Sequence, residues 1–207
     1  MTDADAFLET VREENQTELS RLGSSKSLYA DTGGDIDTEP VLRATADAEY
    51  AAWQTFDGWA DDEGDDDARE AFAATAAEER DHFETVLEHL GDEEYEPEAV
   101  PALHEYLREL DGTTERVGAL VGRILASKRS KEQVVGYFVG DADPQTAGVF
   151  REFGAELDGQ LERATELLGD ISDDERALEA ATDTIEAAYG EYVENLEAMG
   201  ANPKPVC

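Results

Sequence analysis

The sequence predicts an all-α protein, and three observations carry that prediction. Ala, Glu and Leu are abundant at helical spacing, β-branched runs are almost absent, and Gly and Pro fall mainly at breaks between periodic stretches. With 207 residues, 40% of them hydrophobic, the chain can bury one core with appendages, which excludes disorder throughout.

The elements follow in order. A first helix is predicted over residues 3–22, with Phe7, Leu8, Val11, Leu19 and Leu22 facing inward, and a loop over residues 23–38. The next helix starts at Thr38, whose hydroxyl is placed to cap it with Pro40 in the first turn, and runs to Asp61. Leu42, Thr45, Glu49, Ala52, Phe56 and Trp59 form its seam. An acidic turn over residues 61–67 leads into a helix that ends at Leu90 before Gly91, completing an antiparallel hairpin. A polar connector over residues 93–101 and a short helix over 102–110 precede a longer helix from Thr113 or Thr114. The seam of that helix is Val117, Val121, Ile124, Lys128, Lys131, Val135 and Phe138, with an interruption near residues 127–130. After a turn at 141–144, a helix to Leu168 buries Phe150, Phe153, Leu157, Leu161, Ala164 and Leu168. A last helix over residues 172–199 shows Leu178, Ile185, Tyr192 and Leu196. The organisation is thus an N-terminal helix and loop (1–37), a bundle (38–168), and a C-terminal helix and tail (169–207).

The formal net charge is -36, from 52 acidic and 16 basic residues, enough to repel itself at low ionic strength. Because the acids occur in every segment, a halophilic surface in a salt-rich cytoplasm is the expected cause. Lys and Arg form no broad basic face, so phosphates of nucleic acid and anionic lipid are excluded as partners. Neither a signal-peptide pattern nor a run of 18 apolar residues occurs, and a soluble cytoplasmic protein is expected. The single cysteine, Cys207, can form neither an internal disulfide nor a Cys-x-x-Cys knuckle, and its tail position implies exposure.

Between Phe72 and Leu90 the stripe of Phe72, Ala76, Phe83, Val86 and Leu90 carries Glu79 and His82 on its inward side. Residues three apart on a helix project in nearly one direction, so this carboxylate and imidazole can grip one cation. Glu49 lies in the seam of its own helix, and a buried carboxylate must be neutralised, hydrogen-bonded or bound to a cation. Glu49, Glu79 and His82 are therefore candidate metal ligands. The rival explanation is a polar core satisfied by protein groups, in which Lys128, one of four lysines, takes the place of a metal charge. Lys128 and Lys131 on a solvated stretch is the plainer account of both lysines. A register shift of one turn would bring Glu132 inward instead. His89 and His104, near helix ends, are expected to be exposed and are not assigned as ligands.

Residues 59–72 set beside 138–150 both read as helix, acidic turn, helix, with an aromatic at each end. In that register Glu79 aligns with Leu157, His82 with Gln160 and Glu49 with Lys128, so the second hairpin lacks the ligand set. The segment Asp-Ala-Glu49-Tyr-Ala-Ala-Trp-Gln-Thr-Phe precedes Ala-Ala-Glu-Glu79-Arg-Asp-His82-Phe by thirty residues. Over residues 40–90 this resembles the rubrerythrin-like branch of the ferritin-like superfamily. The resemblance implies a ferritin-like four-helix bundle of two helical hairpins with extra N-terminal and C-terminal helices. In that family a Glu from each of two helices joins Glu-x-x-His from the other two around a di-iron site. Glu49 takes the part of the lone glutamate, and Glu79 with His82 that of the Glu-x-x-His pair.

Two functional readings follow. In one, a rubrerythrin-like protein with a reduced site binds a single iron or manganese ion and acts on peroxide or oxygen. A single cysteine excludes a four-cysteine rubredoxin module, so an oxidoreductase of this kind needs an external electron donor. In the other, a metal-free bundle with a Lys–Glu polar core binds a partner protein. A homodimer joining two first hairpins would double the donors to six ligands, although the second hairpin obstructs that packing. Iron storage, a third class, requires a cage-forming surface.

Overall fold

Apolar residues spaced three and four apart give each long segment one buried stripe, and packing those stripes together sets the architecture. The computed structural model describes residues 4–97, 100–171 and 173–204. Among them it forms nine helices: α1 (Ala4–Glu14), α2 (Gln16–Leu22), α3 (Ser25–Asp31), α4 (Thr38–Asp62), α5 (Asp66–Leu90), α6 (Ala102–Arg108), α7 (Thr113–Gly140), α8 (Pro144–Leu168) and α9 (Asp174–Ala198). No strand occurs among the described residues, so the all-α prediction holds.

Helices α4 and α5 make one hairpin, α7 and α8 a second, and α5 meets α8 between them. Helix α9 lies along α7, and α1, α2, α3 and α6 all pack against α9. Both hairpin turns use the same chemistry. Asp65 accepts hydrogen bonds from the Asp67 and Ala68 amides, and Asp143 accepts from those of Gln145 and Thr146, with Pro144 opening α8. Gly91 closes α5 at φ 70°, a left-handed conformation that suits a residue without Cβ.

Several expected boundaries differ. The helix predicted over residues 3–22 breaks at Asn15, a buried side chain whose Nδ2 donates to Val11 O and to Thr182 Oγ1. That amide competes with the helical backbone and ties the bend to α9. The predicted loop over residues 23–38 contains α3, because docking Leu28 and Ala30 into the core outweighs the surrounding Ser and Gly. Thr38 does not cap α4. Asp37 holds that position without a side-chain bond, while Thr38 Oγ1 lies 3.0 Å from the Tyr137 hydroxyl. Helix α7 runs unbroken through residues 127–130, and α6 ends at Arg108. The expected helix start at Ser172 and the expected exposure of Cys207 fall outside the described residues.

The core is divided lengthwise. One apolar cluster joins Phe56, Trp59, Phe72, Ile124, Leu157 and Ile185, and a second joins Leu42, Phe83, Val86, Phe138, Phe150 and Phe153. Between them lies a layer of buried polar side chains. Among the described residues no helix is long and apolar enough to cross a membrane.

Small residues let α7 and α9 touch backbone to backbone. A Cβ built on Gly118 would sit 2.1 Å from Ala177 O, and one on Gly122 would sit 2.3 Å from Ala181 O. Neither carbonyl can retreat without moving α9. Gly122→Ala should therefore lower unfolding free energy by about 1–3 kcal/mol in urea titrations, the usual cost of overpacking. Gly136→Ala is the control, since its Cβ would meet nothing within 4 Å.

Candidate metal centre

All four bundle helices contribute to the polar layer. Glu49 projects from the seam of α4, and Glu79 and His82 from the inner face of α5; the two glutamates are 0% exposed and His82 is 2% exposed. One donor atom from each lies within 4.8 Å of the others, the arrangement that can hold a cation. Among the described residues no other group of three acidic, histidine or cysteine side chains does so.

Each of the three is anchored through its other polar atom. Glu49 Oε1 accepts from the Lys131 ammonium. Glu79 Oε1 accepts from Arg123 Nη1 at 2.8 Å and from Gln160 Nε2 at 2.7 Å. His82 Nε2 meets the half-exposed Glu156 carboxylate, and the ring stacks on Phe153 with centroids 4.0 Å apart. The remaining atoms, Glu49 Oε2, Glu79 Oε2 and His82 Nδ1, are buried without a hydrogen-bond partner. His82 Nδ1 lies 3.7 Å from each of the two oxygens. Metal–ligand bonds of 2.0–2.2 Å in tetrahedral geometry would separate donors by about 3.3–3.6 Å, so the imidazole stands within a few tenths of an ångström of ligand spacing from each carboxylate. A histidine that gives its second nitrogen to a carboxylate is the usual support for a metal-bound imidazole.

The electrostatics are tightly matched. Burial would raise the Glu79 carboxyl, but the Arg123 guanidinium and the facing His82 together outweigh it and hold Glu79 well below the ordinary carboxylate range. Burial would likewise lower His82, yet the facing Glu49 and Glu79 push it up to about 10. At 3.7 Å that effect is the field of two carboxylates, not a formed hydrogen bond. Arg123 itself is 2% exposed and also lies over the Phe56 ring at 5.4 Å.

The structure thus brings Glu49, Glu79 and His82 together and turns Lys128 away. Lys128 pairs with Asp158 at the surface, and the charges beside the two glutamates belong to Lys131 and Arg123. Lys131 lies three residues further along α7, and that rotation takes it to the inner face. Glu132 stays exposed on Arg129. His104, expected at the surface, is 2% exposed, because α6 folds down against α4 and α9. Arg123 was not assigned from the pattern: it points into the bundle, toward Glu79 on α5, Gln160 on α8 and the Phe56 ring on α4, beside a seam read as Val117, Val121 and Ile124. A lone arginine within Val117–Ala126, otherwise without charge, was the available signal. Gln160 was aligned with His82 but not foreseen as a donor to Glu79. Comparison with protein-family models, with curated proteins and with solved structures gives no match to this chain.

Removing one partner of a buried ion pair leaves the other charge uncompensated. Arg123→Leu should cost about 3–5 kcal/mol in denaturant titrations of metal-free protein, against less than about 1 kcal/mol for Lys128→Leu at the surface. The pH dependence has a definite sign. The folded-state pKa of His82 lies above its ordinary 6.5, so its contribution is complete below 6.5 and is lost as pH rises through about 10. Imidazole ¹⁵N shifts of the metal-free protein should show His82 cationic at mildly alkaline pH, and a neutral ring there would contradict this electrostatic account.

Proposed function

We propose that the chain is a rubrerythrin-like helical bundle of the ferritin-like kind whose metal site is reduced to one ion, held by Glu49, Glu79 and His82. The observation that carries this reading is the convergence of three buried, partnerless donor atoms, each on a side chain whose other polar atom is anchored. Unsatisfied buried polar atoms are costly, and three facing one another suggest a common occupant. Two carboxylates and one imidazole suit iron or manganese. Such an ion would supply one-electron chemistry toward peroxide or oxygen, with electrons from an external donor. The chain's own residues bind and orient. Arg123, Gln160 and Lys131 fix the carboxylates, Phe153 and Glu156 set the imidazole plane, and the aromatic clusters on both sides exclude water. Leu157 and Gln160 stand on α8 where a second Glu-x-x-His would be, which argues for one ion in place of two. The acidic surface we read as adaptation to a salt-rich cytoplasm.

One observation favours a metal-free reading, a stable bundle serving as an interaction protein. Arg123 and Lys131 already oppose Glu79 and Glu49, and with His82 as imidazolium facing Glu156 the six groups sum to zero charge. An arriving ion must displace that proton.

Loading with Fe(II) or Mn(II), followed by desalting at high KCl and elemental analysis, should leave one ion per chain, with an anomalous peak between the three side chains. Glu79→Ala and His82→Phe should abolish retention, whereas the exposed Glu13→Gln should not. Absence of stoichiometric metal in the parent, or retention unchanged in both site variants, would establish the metal-free reading instead.

A further inference from the structure

A cavity of about 250 Å³ opens between α3, α4, α6, α7 and α9, on the far side of Glu49 and Lys131 from His82. Its walls are partly apolar, with Leu22, Leu28, Leu103, Val134 and Tyr192 among them. Among the charged groups that line it, acids outnumber cations. Asp31 and Glu191 have no ion-pair partner among the described residues; Ser27 supports the first, and the Ala102 amide donates to the second at 3.1 Å. Asp31 and Glu191 therefore face the cavity without a matching cation, since the two cations that line it, Arg123 and Lys131, are already engaged by Glu79 and Glu49.

His104 adds an observation of a different kind. Thr55 Oγ1 donates its proton to Ala51 O at 2.7 Å, so it can only accept from His104 Nδ1 at 3.2 Å, as it does from Arg108 Nε at 3.1 Å. The imidazole proton therefore resides on Nδ1, and Nε2 carries a bare lone pair with no hydrogen-bond partner among the described residues. Burial, with Arg123, Arg108 and Lys131 nearby, lowers the ring to about 3 and keeps it neutral. The side chain is 2% exposed and lines the cavity, so what remains of its surface is offered to the chamber.

An acid-lined, partly apolar chamber selects a ligand that brings donors and positive charge. We propose that the cavity binds a small organic ammonium compound, its ammonium received by Asp31 and Glu191, any further donor by His104 Nε2, and its carbon chain by Leu28, Leu103 and Tyr192. An apolar cavity of about 150 Å³ accommodates benzene, so this one suits a molecule of roughly ten non-hydrogen atoms. Asp31 is exposed at the cavity, and the protein crowded around it together with the nearby Glu191 carboxylate raises it to about 7. An ammonium group would relieve that repulsion. A chelated metal fits less well, because these groups do not converge as three ligands around one point.

The test is calorimetric titration with n-butylamine at high KCl, with n-butanol as the neutral molecule of equal chain length. One ammonium should bind per chain, and Asp31→Asn and Glu191→Gln should each weaken it about tenfold or more, the scale of a hydrogen bond to a charged group. Glu13→Gln should leave it unchanged. His82→Phe should also bind normally, which separates this site from the metal centre. Both carboxamide variants relieve like-charge repulsion and should fold, as thermal melts will verify. Non-saturating heats, equal binding of n-butanol, or equal loss in Glu13→Gln would overturn the proposal.

Discussion

Two glutamates fixed at the centre of a four-helix bundle impose the condition that the rest of this structure meets. A carboxylate at zero exposure is tolerated only where compensating charge and hydrogen bonds arrive with it. Here the compensation comes from the opposite hairpin: α7 brings Arg123 and Lys131, and α8 brings Gln160. The layer ties the two hairpins together with directional contacts, whereas the apolar clusters above and below it could slide. Buried ion pairs contribute little net stability, but misplacing one is expensive, so the layer specifies alignment more than it adds strength.

The same layer fixes Glu49, Glu79 and His82 in place. Each side chain spends one polar atom on the protein and turns the other toward its neighbours, so the three rotamers are set by the protein itself. The same arrangement holds a proton strongly on His82.

Much of the architecture was legible in the sequence because helical periodicity is a local signal. Phe72, Phe83 and Val86 define the inner face of α5, and Glu79 and His82 fall on it by arithmetic alone. Glu49 was legible for the same reason. The partners were not. Lys128 and Lys131 differ by less than a turn, and only the rotation of α7 against its neighbours decides which one enters. His104 is buried where α6 folds onto α4 and α9, and Arg123 where it reaches across the bundle to Glu79 and Gln160, contacts that no local pattern encodes. Asn15 and α3 likewise reflect tertiary contacts that override local propensity.

Helix α9 meets α7 through Gly118 and Gly122, four residues apart, each seated against a carbonyl of Ala177 or Ala181. Two such notches act as a detent: sliding or rolling either helix would drive a side chain into a carbonyl, so the relative phase of the pair is locked. Helix α9 carries Glu191 and Tyr192, and α7 carries Arg123 and Lys131, so the detent sets the width of the chamber between them. Chamber dimensions are thereby governed by a pair of missing methyl groups, one of them directly beside Arg123 in the chamber wall.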